Sequence, residues 1–254
     1  MALFEDIYFY SPIIRCKLRD RHIAFYQKTL GFRLIKEENT LVSFSDWSQE
    51  TSHFQLEETP GLLSKDIRGP KKLHQMIIKT PYPQEIESLL ANGAKASRIF
   101  KGEKGYAFEA FSPENDCFLL HAENDLAALK EITADQLNFH ALEDFKGLSE
   151  FKVERIILNV LDKKSSQAFY QELFQNQFPL SLDFVETKGA DLAAEPYITR
   201  DLEILEIRVP KDYDLKDAKA YFESKGQKVY LDKSEKVLVI SDPSQIEIWF
   251  HKIK

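Results

Sequence analysis

A thiol and an imidazole lie on one predicted strand near the middle of the chain. Cys117 and His121 follow a Ser-Pro turn in an apolar run, and strand alternation puts both on the same face. A thiolate beside a histidine base can act as a nucleophile, but no third group that would orient the base is identifiable. Neither a His-Glu-x-x-His nor a Gly-x-Ser-x-Gly motif occurs. We therefore interpret Cys117 as a candidate ligand-binding residue.

An indole faces away from the apolar stripe of the last predicted strand. Two sets of side chains alternate along this strand: Ile246, Ile248, Phe250 and Glu247, Trp249, His251. An aromatic ring that the core does not need often lines a pocket or an interface. Glu247 and Trp249 are therefore candidate ligand-binding residues.

The elements that position these residues occur in repeated form. The tetrapeptide Ala-Phe-Tyr-Gln is found at residues 24–27 and 168–171, each time after a strand-like run that ends in Asp. Runs with Leu first and Pro last, at residues 73–81 and 202–210, each precede a helical pattern closed by a glycine. We interpret the chain as two similar halves, each made of two units of strand, helix and several strands.

The repeated helices also predict part of the core. Four bulky side chains lie at i, i+4 spacing on helix faces and are expected to be buried: Tyr26, Leu30, Tyr170 and Phe174. The cysteines Cys16 and Cys117 lie on predicted strands, which favours buried, reduced thiols over a disulfide.

Composition limits the classes of partner. A net charge of −7 without a run of Lys or Arg argues against nucleic-acid binding. No apolar run approaches the ~18 residues that a membrane span requires, and acids stand near the N-terminus where a signal peptide needs bases. We expect a cytoplasmic protein that binds a small molecule or another protein, and the sequence leaves a homodimer open.

The predicted domain boundary lies in a stretch that combines a helical patch, charged residues and a glycine. We predict an N-terminal domain over residues 1–125, a linker over 126–150 and a C-terminal domain over 151–254. With 254 residues and 43% hydrophobic content, the chain is long enough for two ordinary cores rather than one large one.

Two motifs resemble a known module. The first is Phe-Tyr followed by Leu-Gly-Phe at residues 25–32, and the second is Ser-Pro-Glu-Asn at residues 112–115 before an apolar strand. Both resemble parts of the βαβββ module of the vicinal-oxygen-chelate superfamily. This superfamily includes glyoxalases and bleomycin-resistance proteins. The whole arrangement is similar to the streptococcal CppA family, described as complement C3-degrading proteinases. The resemblance implies an α+β fold of four βαβββ modules paired into two glyoxalase-like domains, with residues 153–200 as its weakest part.

The superfamily binds a divalent metal in a cavity, with ligands from the first and last strands of each module. In the first half of this chain the resemblance places a metal at His74, Glu57 and His121. Two alternatives stay open, because Gln75 could replace His74 and Gln55 could replace Glu57, depending on which way each strand faces. Fewer ligands than a closed site needs are present, so we expect no cofactor, or at most a divalent metal in the N-terminal domain.

Cations stand at or beside the corresponding positions. The first-strand ligand position falls on Ile13, which cannot bind a metal, and alternation turns Arg15 toward the cavity. In the second half the position falls on Arg155, which repels a metal and could pair with Glu247. We therefore count Arg15, Gln55 and Arg155 with Cys117, Glu247 and Trp249 as ligand-binding candidates.

These observations favour a binding protein with degenerate metal sites. The alternative is a metal-dependent enzyme of the glyoxalase or dioxygenase type that uses the N-terminal domain alone. The resemblance also implies a C3-degrading proteinase, but the sequence shows neither a nucleophile with its base nor enough ligands to activate a water molecule.

Overall fold

The computed structural model describes residues 3–59, 64–133 and 139–253. The first module has the order strand, helix and three strands: β1 (Tyr8–Cys16), α1 (Arg19–Lys28), β2 (Arg33–Glu38), β3 (Leu41–Ser45) and β4 (Phe54–Glu58). The second repeats it: β5 (Leu73–Lys79), α2 (Pro83–Ala91), β6 (Arg98–Lys101), β7 (Tyr106–Phe111) and β8 (Cys117–His121). A 3-10 turn (Leu126–Ala128) and the short strand β9 (Lys130–Glu131) follow.

The second half repeats the pattern with one deviation. Its first module contains β10 (Lys152–Val160), α3 (Lys163–Leu173) and β11 (Ser181–Glu186), and no further strand is formed before residue 202. Its second module is β12 (Leu202–Val209), α4 (Leu215–Ser224), β13 (Tyr230–Leu231), β14 (Val237–Ser241) and β15 (Glu247–Lys252). The predicted α+β class with βαβββ modules is confirmed, and the deviation falls in the segment where the resemblance is weakest.

The chain forms two compact units that interleave along the sequence. Unit 1 contains Met1–Arg15, Thr59–Lys72 and Leu158–Lys254, and unit 2 contains Cys16–Glu58 and Leu73–Ile157. These units do not coincide with the sequence halves 1–125 and 151–254. The physical reason is strand pairing, because the first strand of the chain is hydrogen-bonded to a strand of the last module.

Unit 1 contains a continuous run of paired strands in the order β13, β14, β15, β12, β1. The pair β12 and β15 is parallel, and the other three pairs are antiparallel. Aromatic rings build its core: Phe174 lies within 6.2 Å of Phe222 and Phe250, measured between ring centroids. Phe4 joins them, 5.3 Å from Phe174.

Unit 2 contains two runs of paired strands. One has the order β4, β3, β2, and all its pairs are antiparallel. In the other, β5 is parallel to β8, and β8, β7, β6 and β9 continue antiparallel. Apolar residues on the buried faces of these strands, including Phe54, Leu56, Met76 and Phe118, are fully buried.

The duplicated tyrosines occupy equivalent places in the two cores. Tyr26 and Tyr170 are both buried, as predicted, and so are Leu30 and Phe174. Burial raises the pKa of both phenols well above the ordinary value. The Tyr170 hydroxyl donates to Asp242 at 3.0 Å, and burial raises the pKa of that carboxyl to about 6. The repeat therefore marks two core-forming helices.

The helices start with carboxylates from different sources. Asp162 accepts a hydrogen bond from the backbone of α3, and Asp214 does so for α4, as local N-caps. At α1 the carboxylate comes from the predicted terminal turn, because Glu114 accepts from the backbone N–H groups of Lys17 and Leu18 at 2.8 and 3.0 Å. Burial opposes ionisation of Glu114, but these bonds and one from His22 prevail and lower its pKa to about 2.

All four α-helices are short. They contain between 9 and 11 residues. In the described part of the chain, no helix has the length and apolar character needed to cross a membrane.

The end of the predicted linker packs within unit 2. The backbone N–H of Leu148 donates to the carbonyl of Gly31 at 2.9 Å, and the backbone N–H of Trp47 donates to the carbonyl of Leu148 at 2.9 Å. Gly147 has φ +148°, and a Cβ there would collide with the Gly31 carbonyl oxygen and the Trp47 indole. This part of 126–150 is fixed by close backbone contact, which only glycine allows.

We predict that Gly147→Ala lowers the free energy of unfolding by about 3 kcal/mol, because the added methyl group meets backbone and an indole at a strained φ. Gly93→Ala is the matched control, since Gly93 also has positive φ but has open space around its Cβ position. That change should cost about 1 kcal/mol. Urea denaturation measures both values, and equal losses would contradict the close contact.

Candidate functional site

The first polar cluster surrounds a buried guanidinium in unit 1. Arg15 lies at the end of β1, where its backbone N–H donates to the carbonyl of Asp201 at 2.9 Å. Its side chain is 2% exposed, its Nε is 4.0 Å from Glu203 Oε2, and its Cζ is 4.0 Å from the centre of the Tyr197 ring. The predicted candidate Arg15 is therefore enclosed between a carboxylate and an aromatic face, an arrangement that stabilises a buried cation.

Tyr197 belongs to the segment that replaces the missing strands of the third module. Its φ is +70°, and its backbone N–H donates to Glu203 Oε1. The segment is anchored within unit 1: Lys72 Nζ donates to the carbonyl of Ala194 at 2.9 Å, and Arg200 donates to the carbonyl of Ser64 at 2.8 Å. We call residues 191–200 the strap, because they hold Tyr197 on Arg15.

Burial governs the charge of Glu203. It raises the pKa of this carboxyl, and Arg15 opposes the rise. Glu247 adds to the rise by like-charge repulsion. Arg15 and Glu247 thus act in opposite directions on this carboxyl, since Arg15 favours its ionised form and Glu247 its neutral form.

The strand β15 carries the other two candidates of unit 1. Trp249 Nε1 donates to Glu247 Oε2 at 2.8 Å, and the parallel register pairs Glu247 with Ile204 and Trp249 with Glu206. Glu206, which sequence reasoning missed, is 5% exposed and lies 2.9 Å from Arg208 and 3.0 Å from His251. The sequence contained a signal for Glu206, because this carboxylate alternates with the apolar residues of β12.

The parallel register of β5 and β8 shows which residue near position 74 lies beside Cys117. Met76 pairs with Phe118, so Gln75 lies beside Cys117. Gln75 Nε2 donates to Glu109 Oε2 at 3.1 Å and contacts Cys117 Sγ at 3.5 Å. His74 points the other way and is exposed. Gln75, rather than His74, therefore contacts the Cys117 side chain.

His121 is buried with both ring nitrogens engaged. Its Nδ1 accepts from the backbone N–H of Glu123 at 3.2 Å, so the proton belongs on Nε2, which faces Glu154 Oε2 at 2.9 Å. Glu154 also binds Lys79 Nζ at 3.1 Å. Burial lowers the pKa of His121, and the neutral ring has no free lone pair to offer a metal.

The predicted metal trio is not assembled. His121 pairs with Lys79, five residues beyond His74 on the neighbouring strand, which separates the two histidines by about 16 Å. Glu57 lies on β4, paired with Leu41. Residues 3–59, 64–133 and 139–253 contain no group of three His, Cys, Asp or Glu side chains that could hold a metal ion. The predicted trio of His74, Glu57 and His121 therefore does not fit a divalent metal.

The thiol and imidazole of β8 do not form a catalytic pair. Cys117 and His121 are four residues apart on one strand, about 13 Å along the chain. Burial raises the pKa of the Cys117 thiol to about 12, and the hydrogen bond from Gln75 only partly offsets this. The structure thus keeps this cysteine as a neutral thiol.

The remaining candidates lie on separate elements. Gln55 is buried on β4, where it pairs with Ser43, and Arg155 is half-buried on β10 in unit 2. Glu247 belongs to unit 1, where its carboxylate accepts from Trp249. Arg15, Glu247 and Trp249 are the candidates that unit 1 contains.

Comparison with solved structures defines the class of this fold. Glyoxalase I from Zea mays is 15% identical, with a TM-score of 0.60 over 97% of this chain and 92% of that one. A provisionally assigned dioxygenase from Bacillus subtilis is 12% identical, with a TM-score of 0.63 over 96% and 84% of the two chains. The chain therefore has the vicinal-oxygen-chelate fold.

The particular family follows from the sequence models that match. A CppA N-terminal model matches residues 9–132 and a CppA C-terminal model matches residues 148–250. The CppA protein of Streptococcus pneumoniae is 32% identical, with a TM-score of 0.85 over 98% of this chain and 99% of that one. A search of curated proteins finds no match. The chain belongs to the CppA family.

We predict that the Cys117 thiol is unreactive in the folded protein. In a Cys16→Ser variant, iodoacetamide should modify Cys117 at least ~100-fold more slowly at pH 8 than in the urea-unfolded chain, because the buried thiol is almost entirely protonated. The rate should keep rising up to pH 10. Mass spectrometry measures the modification rate. A rate that reaches a plateau near pH 7 would instead reveal an activated thiolate.

Proposed function

We propose that this CppA-family chain is a binding protein that works without a metal. The observation that carries the proposal is the buried guanidinium of Arg15, which lies between Glu203 and the ring of Tyr197. A cation there repels a divalent ion and attracts an anionic group. The ligand is a small molecule or a protein that offers such a group.

The arrangement around Arg15 supports exchange with a ligand. A guanidinium is the side-chain group best suited to bind a carboxylate through two parallel hydrogen bonds, and Glu203 Oε2 lies 4.0 Å from Arg15 Nε. Trp249 and Tyr197 supply aromatic surface in the same unit.

The alternative function is a metal-dependent enzyme of the glyoxalase or dioxygenase type in the N-terminal half. The fold supports it, because glyoxalase I shares the fold. It would need His74, Glu57 and His121 to bind one ion. The separation of the two histidines and the engaged ring of His121 argue against that site.

The proteinase role lacks comparable support. Peptide cleavage needs an activated nucleophile or a metal-bound water molecule. Cys117 has a raised pKa and no histidine within reach, and no ligand set is assembled among the described residues. We therefore favour binding over cleavage.

We predict that the purified protein contains less than stoichiometric divalent metal, because the cavity groups are paired with one another. Plasma mass spectrometry after expression with added zinc, nickel, manganese or iron measures the content. His74→Ala and Glu57→Gln should leave this content unchanged. About one tightly bound ion per chain, lost in either variant, would establish the alternative enzyme.

We predict that the purified protein leaves complement C3 intact over hours, as followed by gel electrophoresis. The physical reason is the absence, in the described residues, of a nucleophile with a base in reach. Cleavage abolished by Cys117→Ser would contradict this and establish a cysteine mechanism. Cleavage stopped by a chelator would indicate a metal site, and cleavage insensitive to both would indicate a contaminating protease.

A further inference from the structure

A groove on the helix side of unit 2 has an aromatic floor. Its volume is about 730 Å³, which lies in the range of small-molecule sites. Phe25 and Leu89 form its buried base, and Phe111 and Phe145 complete the apolar surface. We call this cavity the α1–α2 groove.

Phe111 distinguishes the groove from ordinary helix packing. It is the last residue of β7 and is 46% exposed, whereas Tyr106, Ala107, Phe108 and Ala110 of the same strand are buried. Leaving a phenyl ring this exposed forgoes the stabilisation that its burial would give. A ring in such a position gains that stabilisation when a ligand covers it.

Cations alone make up the charged lining of the groove. Two lie on α1 and two in loops: Arg21, Lys28, Lys95 and Lys146. No Asp or Glu stands among the described residues that line it. In the described part of the chain, none of these four cations forms an ion pair with a carboxylate.

The excess of cations is unusual for this chain. The protein carries 34 Lys and Arg against 41 Asp and Glu, so a random patch of four charges would include acids. Exposed lysines scattered over a helix are common and carry no meaning. Here four cations converge on one apolar cavity, and the combination matches a molecule with an apolar body and a negative head.

We propose that the α1–α2 groove binds an amphiphilic carboxylate with an extended apolar tail. The tail lies on Phe25, Leu89 and Phe111, and the carboxylate is held by the lysines at the rim. This site uses neither Arg15 nor the cavity side of the sheets, so it is independent of the function proposed above. An acidic helical peptide could match the same charges, but the enclosed base of the groove favours a narrow chain.

Calorimetric titration with sodium dodecanoate below its micelle concentration tests the proposal. One molecule should bind per chain. Dodecyltrimethylammonium, which has the same tail and the opposite charge, should not bind, and acetate, which lacks the tail, should not bind either. Binding of the cationic amphiphile with equal affinity, or binding of acetate, would overturn the assignment.

Two variants separate the contributions of charge and tail. The double variant Lys28→Glu with Lys95→Glu should weaken dodecanoate binding about tenfold or more, which corresponds to ~1.4 kcal/mol. Phe111→Ser should weaken it about tenfold, because the tail loses apolar contact. All three residues are exposed, so these variants should fold, and circular dichroism checks that they do.

The matched control is the double variant Lys211→Glu with Lys233→Glu. Both lysines are exposed in unit 1, and the change in net charge is identical. Affinity for dodecanoate should remain that of the unaltered protein. Equal loss in the control would mean that net charge alone attracts the ligand and would overturn the site.

A third measurement distinguishes a free ligand from other occupants. Vesicles of phosphatidylglycerol should not retain the protein in a flotation assay, whereas monomeric dodecanoate should bind. Retention on vesicles without binding of the monomer would replace the proposed ligand by a membrane surface. No binding of dodecanoate at millimolar concentration would refute the proposal.

Discussion

A guanidinium removed from water must be compensated, and the structure of unit 1 depends on how Arg15 is compensated. Glu203 supplies a carboxylate and Tyr197 an aromatic face. Tyr197 can take that place only because the strap is anchored by Lys72 and Arg200. An unpaired buried charge would cost several kcal/mol, so cation, carboxylate and strap form one interdependent arrangement.

The same principle of internal pairing operates in unit 2 with different groups. The ring N–H of His121 donates a hydrogen bond to Glu154, which Lys79 also binds. Gln75 bridges Glu109 and Cys117. Because these side chains satisfy one another, they stabilise the sheet and leave no set of free ligands.

The candidate site was only partly predictable. Alternation along β4 correctly turned Phe54 and Leu56 toward the core. It could not choose between His74 and Gln75, because a shift of one residue reverses every side chain of a strand. Tyr197 lies in a segment without periodicity, so its contact with Arg15 had no signal in the sequence.

The sequence by itself determined the elements and their repetition. The two Ala-Phe-Tyr-Gln helices, the glycines that end α2 and α4, and the βαβββ order all follow from local patterns of apolar residues, caps and turns. Only the tertiary structure decided that β1 pairs with β12 and that His74 and His121 lie at opposite ends of paired strands. Strand partners and register are set by contacts between residues distant in the chain, and a local pattern contains no information about them.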